Sequence, residues 1–379
     1  MKEIIKSYIK RLVVEGLEKV SGNKELFGDN YWYAGVNLWE PPVVFVLKDI
    51  VHPGMVVFDI GGNMGGISSA VSRLVGPKGI VCTFEASPRI IAHLQRNMVH
   101  QGNNNVTVYH LAVYSKSNEY VTIYEGGHLN DSIVVENSPT KIGHKIKTVS
   151  MDDFCNWTSL EPEVVKMDIE GAEYDALLGF KRTLSEKKPH LIVEQQRNDT
   201  RCFSLLQSLG YRTIDCNNYS EIKTEDAFSN AKAMLMNLLY VHEDKWDDLQ
   251  YAKVQKVLVT DLSPEDFSVN HLKGLTSRKM ELQAGRYLFD LDFIANGTDN
   301  NIFCGVRLDG EVVFRYHAYT ALLADSYTEW MVDIPLSGNV ELFFDFNDGT
   351  EDNTLRFSRG KVYKYEGVES SLWSQIAMQ

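Results

Sequence analysis

The stretch Val56–Pro88, VVFDIGGNMGGISSAVSRLVGPKGIVCTFEASP, decides the fold. Its opening apolar run predicts a buried strand that ends at Asp59 and Ile60. The chain then turns through Gly61, Gly62, Asn63, Met64 and Gly65 into a segment with helical periodicity. Glycines at such a turn let the backbone approach a ligand closely and adopt conformations closed to other residues. A second apolar run ends at Glu85, an acid placed where it can accept hydrogen bonds from ribose hydroxyls. Ser87 and Pro88 are a good helix start, with Ser87 as N-cap and Pro88 at the first helical position; Gly102 would end that helix.

Working outward, strands are expected at Met55–Ile60, Ile80–Glu85, Val106–Leu111, Val164–Asp168 and Leu191–Glu194. Helical segments alternate with most of them, which predicts a mainly parallel sheet covered on both faces. A hairpin around Tyr120–Tyr124 and a polar, glycine-rich stretch interrupt the alternation. Tyr211–Asp215 and Leu235–Val241 read as two final strands, an antiparallel pair at one edge. After about His242 the pattern changes to alternating runs such as Tyr287-x-Phe289-x-Leu291-x-Phe293 and Val340-x-Leu342-x-Phe344-x-Phe346. Asp309-Gly310 between such runs is a strong hairpin signal. The fold class is therefore α/β, followed by an all-β, sandwich-like unit. The expected organisation is an N-terminal helical segment (1–52), an α/β domain (53–243) and a β-sandwich (252–368), with His242–Tyr251 as linker.

Bulk properties narrow the function. The 379 residues exceed the usual single-domain size, and 44% hydrophobic with 23% charged residues is ordinary globular composition. A net charge of −13 argues against nucleic acid as the partner. Cys82, Cys155, Cys202, Cys216 and Cys304 show no C-x-x-C spacing and read as reduced thiols of a cytoplasmic protein. The N-terminus lacks the apolar core of a signal peptide, and no run is long enough for a membrane span. Its apolar positions Ile4, Ile5, Tyr8, Ile9, Leu12, Val13 and Leu17 repeat at helical spacing. Such a helix is expected to pack on the domain or on a second subunit; homo-oligomers through it or through the β-unit are open.

Two cofactor classes use a strand–glycine loop–helix turn. A dinucleotide site wants G-x-G-x-x-G, with the pyrophosphate on the helix N-terminus. Here Asn63 stands at the second glycine, and the pattern is Asp59-x-Gly61-x-x-x-Gly65. S-adenosylmethionine has no pyrophosphate, and its sulfonium and amino groups are cationic, so an acid at Asp59 suits it and would repel a diphosphate. A second constellation, Val164–Phe180 (VVKMDIEGAEYDALLGF), puts Asp168 at the C-terminal end of the fourth parallel strand, where such sheets bind ligands. Glu170 and Glu173 follow at a spacing that can share one side of a helix start. Acids there also complement a helix dipole, which explains one of them but not three.

D-I-G-x-N-x-G, then F-E-x-S-P, then K-M-D-I-E-G-A-E-Y-D together resemble the FkbM family of methyltransferases, over roughly Pro53–His242. The resemblance implies a Rossmann-like class I methyltransferase fold and methyl transfer from S-adenosylmethionine, usually to a hydroxyl of a sugar, glycan or glycosylated metabolite. By that likeness Gly61, Asn63 and Gly65 line the methionine part, Glu85 and Ala86 flank the ribose, and Ala112 lies near the adenine. Asp168, Glu170 and Glu173 are the catalytic candidates. Asp168 and Glu194, at the ends of the fourth and fifth strands, match by position the carboxylates of metal-dependent O-methyltransferases, whose site would hold Mg²⁺. The alternative is that Asp168 orients the cofactor's amino group. His110 and His128 are further base candidates. Tyr316, Tyr319, Tyr327 and Trp330 in the β-unit are either a platform for sugar rings or core. Two rival readings remain: a glycan-binding or scaffold protein with a degenerate methyltransferase domain, and a dinucleotide-dependent oxidoreductase.

Overall fold

A computed structural model describes residues 40–126, 131–134, 138, 140–231, 233–249, 255–270, 274–296, 301–319, 328–346 and 354–366. The amphipathic segment expected near the N-terminus, His128 and Tyr327 lie outside them. In chain order the first half forms α1 (Pro41–Ile50), β1 (Val56–Ile60), α2 (Gly66–Val75), β2 (Ile80–Phe84), α3 (Ile91–His100), β3 (Val106–Tyr109), β4 (Ala112–Val113), β5 (Tyr120–Tyr124) and β6 (Gly143–Val149). There follow α4 (Met151–Thr158), β7 (Val164–Met167), α5 (Glu173–Leu178), α6 (Lys181–Lys187), β8 (His190–Gln196), α7 (Arg201–Ser208), β9 (Tyr211–Asp215), β10 (Glu221–Ile222), α8 (Glu225–Ser229) and β11 (Leu235–His242).

The main sheet has the order β10-β9-β11-β8-β7-β1-β2-β3. The β3-β2-β1-β7-β8 pairings are all parallel, and β11 inserts antiparallel between β8 and β9. This is the mainly parallel, Rossmann-like sheet that the sequence predicts. Strand order reverses between β1 and β7, and there the C-terminal strand ends open into a crevice. The antiparallel pair expected at the edge does form, but β9 and β10 make the edge and β11 lies inside it. The hairpin at Tyr120–Tyr124 also forms, and its partner is the unforeseen β6, with Tyr120 opposite Lys147. Charged residues alternate through β6, and that polarity hides its period. Ser87's hydroxyl accepts from the Arg89 N–H, but the helix proper begins only at Ile91, one turn later than Pro88 suggests.

Each face of the sheet has its own core. Phe58, Ile60, Phe84, Met167, Val193 and Tyr240 bury one face. Val57, Val81, Val164, Ile192 and Leu239 bury the other, against α2 and α1. On α2 the inward residues Ile67, Val71 and Val75 recur every fourth position, which gives the helix its apolar stripe. On α1, opened by Pro41 and Pro42, Val43, Val44, Val46, Leu47 and Ile50 do the same.

The second half is all β: β12 (Gln255–Leu262), β13 (Phe267–Val269), β14 (Leu275–Ser277), β15 (Met280–Leu282), β16 (Gly285–Asn296), β17 (Asn301–Leu308), β18 (Glu311–Tyr319), β19 (Glu329–Ile334), β20 (Gly338–Phe346) and β21 (Thr354–Glu366). One antiparallel sheet runs β12-β21-β16-β19 and the other β13-β14-β20-β17-β18, with β15 on β20. Asp309 (φ +48°) and Gly310 (φ +88°) turn β17 into β18, since a two-residue hairpin of this type needs positive φ at both positions. The two sheets share one core, in which Phe289, Leu291, Val306, Trp330, Leu342 and Phe344 are fully or nearly buried.

The halves meet at a packed seam. Residues Glu243–Asp248 form a short 3₁₀ turn, and Leu249 is buried in the core that α1 closes, so the segment expected to be a linker lies against the sheet. Phe45 points off α1 into the core of the β-unit. Arg286 of β16 donates to Asp49 of α1 (2.8 Å), to the Tyr219 hydroxyl (2.8 Å) and, through two nitrogens, to Asp333 (2.7 and 3.1 Å). Tyr219 also donates to Asp49. Tyr365 donates to the Asn218 carbonyl at 2.7 Å, and the Asn218 amide donates to Glu329 at 2.8 Å.

Candidate active site

The glycine loop is built by close approach. A Cβ on Gly61 (φ +89°) would sit 1.7 Å from the Asp168 carbonyl oxygen, so the loop after β1 lies directly on the backbone that leaves β7. A Cβ on Gly65 (φ +88°) would sit 2.3 Å from the Met98 methyl and 2.7 Å from Leu94, so α3 closes over the loop. Gly61 demands glycine on space and conformation alike, and Gly65 on conformation, since its neighbours are flexible side-chain ends.

Glu85 leaves β2 beside this loop, 7% exposed. Its carboxylate accepts from the backbone N–H of Asn63 (2.8 Å) and of Ser87 (2.7 Å). Burial pushes its pKa up to about 7, against the pull of those two amides. Ala86 packs against a small apolar cluster of Ala112, Ile123 and Ile146, so the structure brings Ala86 and Ala112 together. His110 is exposed apart from a 3.2 Å contact with the Ala86 carbonyl.

At the other side of the loop four acids surround one cation. Asp59 lies opposite Lys166 in the β1–β7 register, and Glu194 lies opposite Asn237 in the β8–β11 register. Because side chains alternate along a strand, Asp59, Lys166, Asp168, Glu194 and Asn237 share the α1 face of the sheet. Lys166 donates to Asp168 at 3.0 Å and lies 3.7 Å from Glu40, which caps the start of α1. The Asn237 amide donates to Glu40 at 3.3 Å. Glu40, Asp168 and Glu194 each offer an oxygen within 4.8 Å of the others. Burial opposes the charge of Lys166, yet Asp168, Glu40 and Asp59 outweigh it and hold the ammonium protonated above the usual range. Burial raises the pKa of Glu194 well above the usual carboxylate value, and Asp168 and Glu40 raise it further. Burial also raises Glu40, with Lys166 opposing.

The candidate catalytic acids take different places. Asp168 is half-buried at the mouth of the crevice. Glu170, at a positive φ of +55°, is pushed up to about 7 by burial and then by Asp168 and Glu173. Glu173 turns back on its own loop and accepts from the backbone N–H groups of Ile169 (2.8 Å) and Gly171 (3.0 Å). It latches the turn that carries Glu170. Ser132 donates to the Glu170 carbonyl at 2.6 Å, and Asp131 is gripped by Ser87, Arg89 and the Gly126 N–H, so residues 131–132 tie this loop to the one after Glu85. Asp59 is fully enclosed: it accepts from Ser68, and its other oxygen has no partner among the described residues. It reaches the crevice through Lys166 and not by direct exposure.

Sequence reasoning missed Glu40 and Lys166. Lys166 carried a signal, since it stands two residues before Asp168 and so on the same strand face. Glu40 carried none, because a helix brings it from far along the chain. In the β-unit, Trp330 is 1% exposed between Phe314 and Phe344 (centroids 6.1 and 5.3 Å), so it is core and not a sugar platform. The side chains of Tyr316 and Tyr319 lie outside the description.

Residues 59–213 match the family model described as the methyltransferase FkbM domain. This stretch is an FkbM methyltransferase domain. All the candidate cofactor residues and Asp168, Glu170, Glu173 and Glu194 fall inside it, whereas Glu40 and Arg286 fall outside. Among curated proteins, protein-L-isoaspartate O-methyltransferase of Methanothrix thermoacetophila is 26% identical over 120 residues, covering 28% of this chain and 56% of the relative. The chain thus spans about half the length of the curated relative it matches. Among solved structures, an FkbM methyltransferase of Methylobacillus flagellatus is 19% identical, covering 50% of this chain and 44% of its own, with a TM-score of 0.33. Aeropyrum pernix fibrillarin, solved with natively bound S-adenosyl-L-methionine, is 11% identical, covering 52% of this chain and 73% of its own, with a TM-score of 0.33. Likeness at that level transfers no residue roles. Among the described residues no helix is long and apolar enough to cross a membrane.

Proposed function

We propose that the chain is an S-adenosylmethionine-dependent O-methyltransferase whose acceptor is a hydroxyl of a sugar, glycan or glycosylated metabolite. The observation that carries this reading is the FkbM domain's crevice. A glycine loop with no room for a side chain at Gly61 and a left-handed backbone at Gly65 lies between Glu85 on one side and the acid-rich rim of Asp168, Glu170, Glu194 and Glu40 on the other. When bound, S-adenosylmethionine supplies a methyl group on a sulfonium, open to in-line attack. Glu85, held in place by two backbone amides, would accept from the ribose hydroxyls. Ala86 and Ala112 form an apolar wall that suits adenine. The surplus of carboxylates over Lys166 favours a cationic ligand group at the rim. Glu170, with a pKa near neutrality at the crevice mouth, is suited to take the proton of a weakly acidic hydroxyl.

A divalent ion is a second element of this proposal, favoured by the three converging oxygens of Glu40, Asp168 and Glu194. An all-carboxylate set suits Mg²⁺, which would lower the pKa of an acceptor hydroxyl. Lys166 competes for two of the same acids, so the ion's affinity depends on how far the ammonium withdraws. That none of the five cysteines forms a disulfide is in keeping with a cytoplasmic setting.

Calorimetric titration with S-adenosylhomocysteine, beside NAD, tests the cofactor. Binding of the first alone is expected, and binding of NAD alone would move the chain to the oxidoreductases. Labelled S-adenosylmethionine with a panel of hydroxylated acceptors, with and without chelator, then tests acceptor and metal. Turnover that survives excess chelator removes the ion. Binding of S-adenosylhomocysteine without transfer to any hydroxyl would favour a degenerate, non-catalytic domain.

A further inference from the structure

The β-unit lends a residue to the site without touching it. Helix α1 has one end in the crevice and the other in the seam. Glu40, at its start, meets Lys166 and Asn237. Asp49, nine positions on and about 13–14 Å along the axis at the usual helical rise, meets Arg286 and Tyr219. The helix between them is gripped on both sides: Val43, Val46, Leu47 and Ile50 bury against the sheet, and Phe45 enters the core of the β-unit with the Arg286 guanidinium 5.1 Å above its ring. Both charged side chains are enclosed, Arg286 at 2% and Asp49 at 4% exposure, and Arg286 is fixed in turn by two bonds to Asp333.

We propose that Arg286 of the β-unit is a positioning residue for the methyltransferase crevice, holding α1 by Asp49 so that Glu40 meets Lys166 beside Asp168 and Glu194. The proposal rests on the cofactor reading above and assigns the β-unit a part in it. A packed helix moves as a body, because its side chains interlock with both neighbours at near-crystalline density. Replacing a buried, paired guanidinium by an apolar group leaves Asp49 enclosed without its cation. Asp49, which burial already raises to about 6 beside its cation, is relieved either by taking up a proton or by a shift of α1 toward water, and the shift draws Glu40 away from Lys166. Lys166 then pairs more completely with Asp168, and the rim loses part of its attraction for a cationic ligand group.

The test uses the full chain and S-adenosylhomocysteine as probe, with calorimetry on the wild type, Arg286→Met, Glu40→Gln and the double variant. Arg286→Met is expected to weaken binding by about 5- to 20-fold, the lower range of couplings between separate sites. The double variant should bind within about twofold of Glu40→Gln alone, because both changes act on one path. Arg286→Lys, which restores a cation beside Asp49, should recover most of the loss. If the two single losses multiply in the double variant, or if Arg286→Met binds as the wild type does, the positioning role is refuted. Should Arg286→Met yield only aggregate, Arg286→Gln, which also removes the cation beside Asp49, replaces it in the same cycle, with the same outcomes deciding. A wild-type chain that takes up no S-adenosylhomocysteine refutes the cofactor reading, and the positioning role with it. Multiplying losses in a chain that does bind refute the positioning role alone.

Discussion

The two halves of the molecule treat buried charge in opposite ways. In the FkbM domain and the helix before it, Glu40, Asp59, Glu85, Glu170, Glu173 and Glu194 are all raised in pKa, burial being the first cause each time, and Lys166 is the cation nearest most of them. In the β-unit the interior is apolar and aromatic; its enclosed cation, Arg286, is matched by Asp49 and Asp333, and its raised acid, Glu329, lies at the seam beside Asp215. Uncompensated charge costs stability, so a fold keeps it where a ligand or a proton is to be handled. Charge matched on every side does structural work. The contrast agrees with the family match, which lies wholly in the first half.

The severest way to break this comparison is to separate the halves. A chain ending at Leu249 would expose Phe45 and Tyr219 and leave Asp49 without Arg286. It is expected to aggregate where the full chain does not, read by size-exclusion chromatography, and a monodisperse truncated chain that binds S-adenosylhomocysteine as tightly as the full one would show two independent units. Next in size is the core of the β-unit. Trp330→Ala should cost ~3–5 kcal/mol of unfolding free energy, the usual range for a buried large aromatic. Affinity for S-adenosylhomocysteine should stay unchanged wherever the variant is folded. A small change in chemical denaturation would mean that Trp330 is not the keystone of that core.

In the FkbM domain, Glu85→Ala should weaken S-adenosylhomocysteine by ~1.5–3 kcal/mol, the range for hydrogen bonds to a charged group, with a smaller effect on stability. Equal affinity in calorimetry would place the ribose elsewhere. The smallest effect is the pH dependence of that same contact. Glu85 is half ionised near pH 7 before ligand binds, and ribose hydroxyls donate better to the carboxylate than to the acid. Affinity should therefore rise from pH 6 to pH 8 by up to about tenfold, one proton's worth, and Glu85→Gln should flatten the curve. The sign for folding is the reverse. Glu85 and Glu170 bind protons more tightly in the folded chain than in the unfolded one, so their contribution to stability is full below about pH 4 and falls as pH rises to about 7.

The α/β sheet was legible because its information is local. Val56–Pro88 and Val164–Phe180 each contain a strand, a turn and a helix start, and most strand ends fell within two residues of those expected. The β-unit was legible from period-two alternation and from Asp309-Gly310. Glu85 and Asp168 were found because each ends a parallel strand. What stayed hidden depends on contacts between distant segments. Nothing near Glu40 says that α1 will deliver it to Lys166, and nothing near Arg286 says that Asp49 will face it. The destination of Glu173, three residues after Glu170 and turned the other way, is fixed by backbone amides that spacing alone does not reveal.

The five cysteines have a practical consequence. All are buried and outside any disulfide, and burial pushes the thiols of Cys82, Cys155, Cys202 and Cys216 well up, away from the reactive thiolate. The native chain should therefore be nearly silent to thiol reagents while folded. A single cysteine introduced at an exposed position, such as Val99 on α3 or Leu336 after β19, would then be the one site that takes a spin label or fluorophore. One label on each half would turn the seam between the domains into a measurable distance.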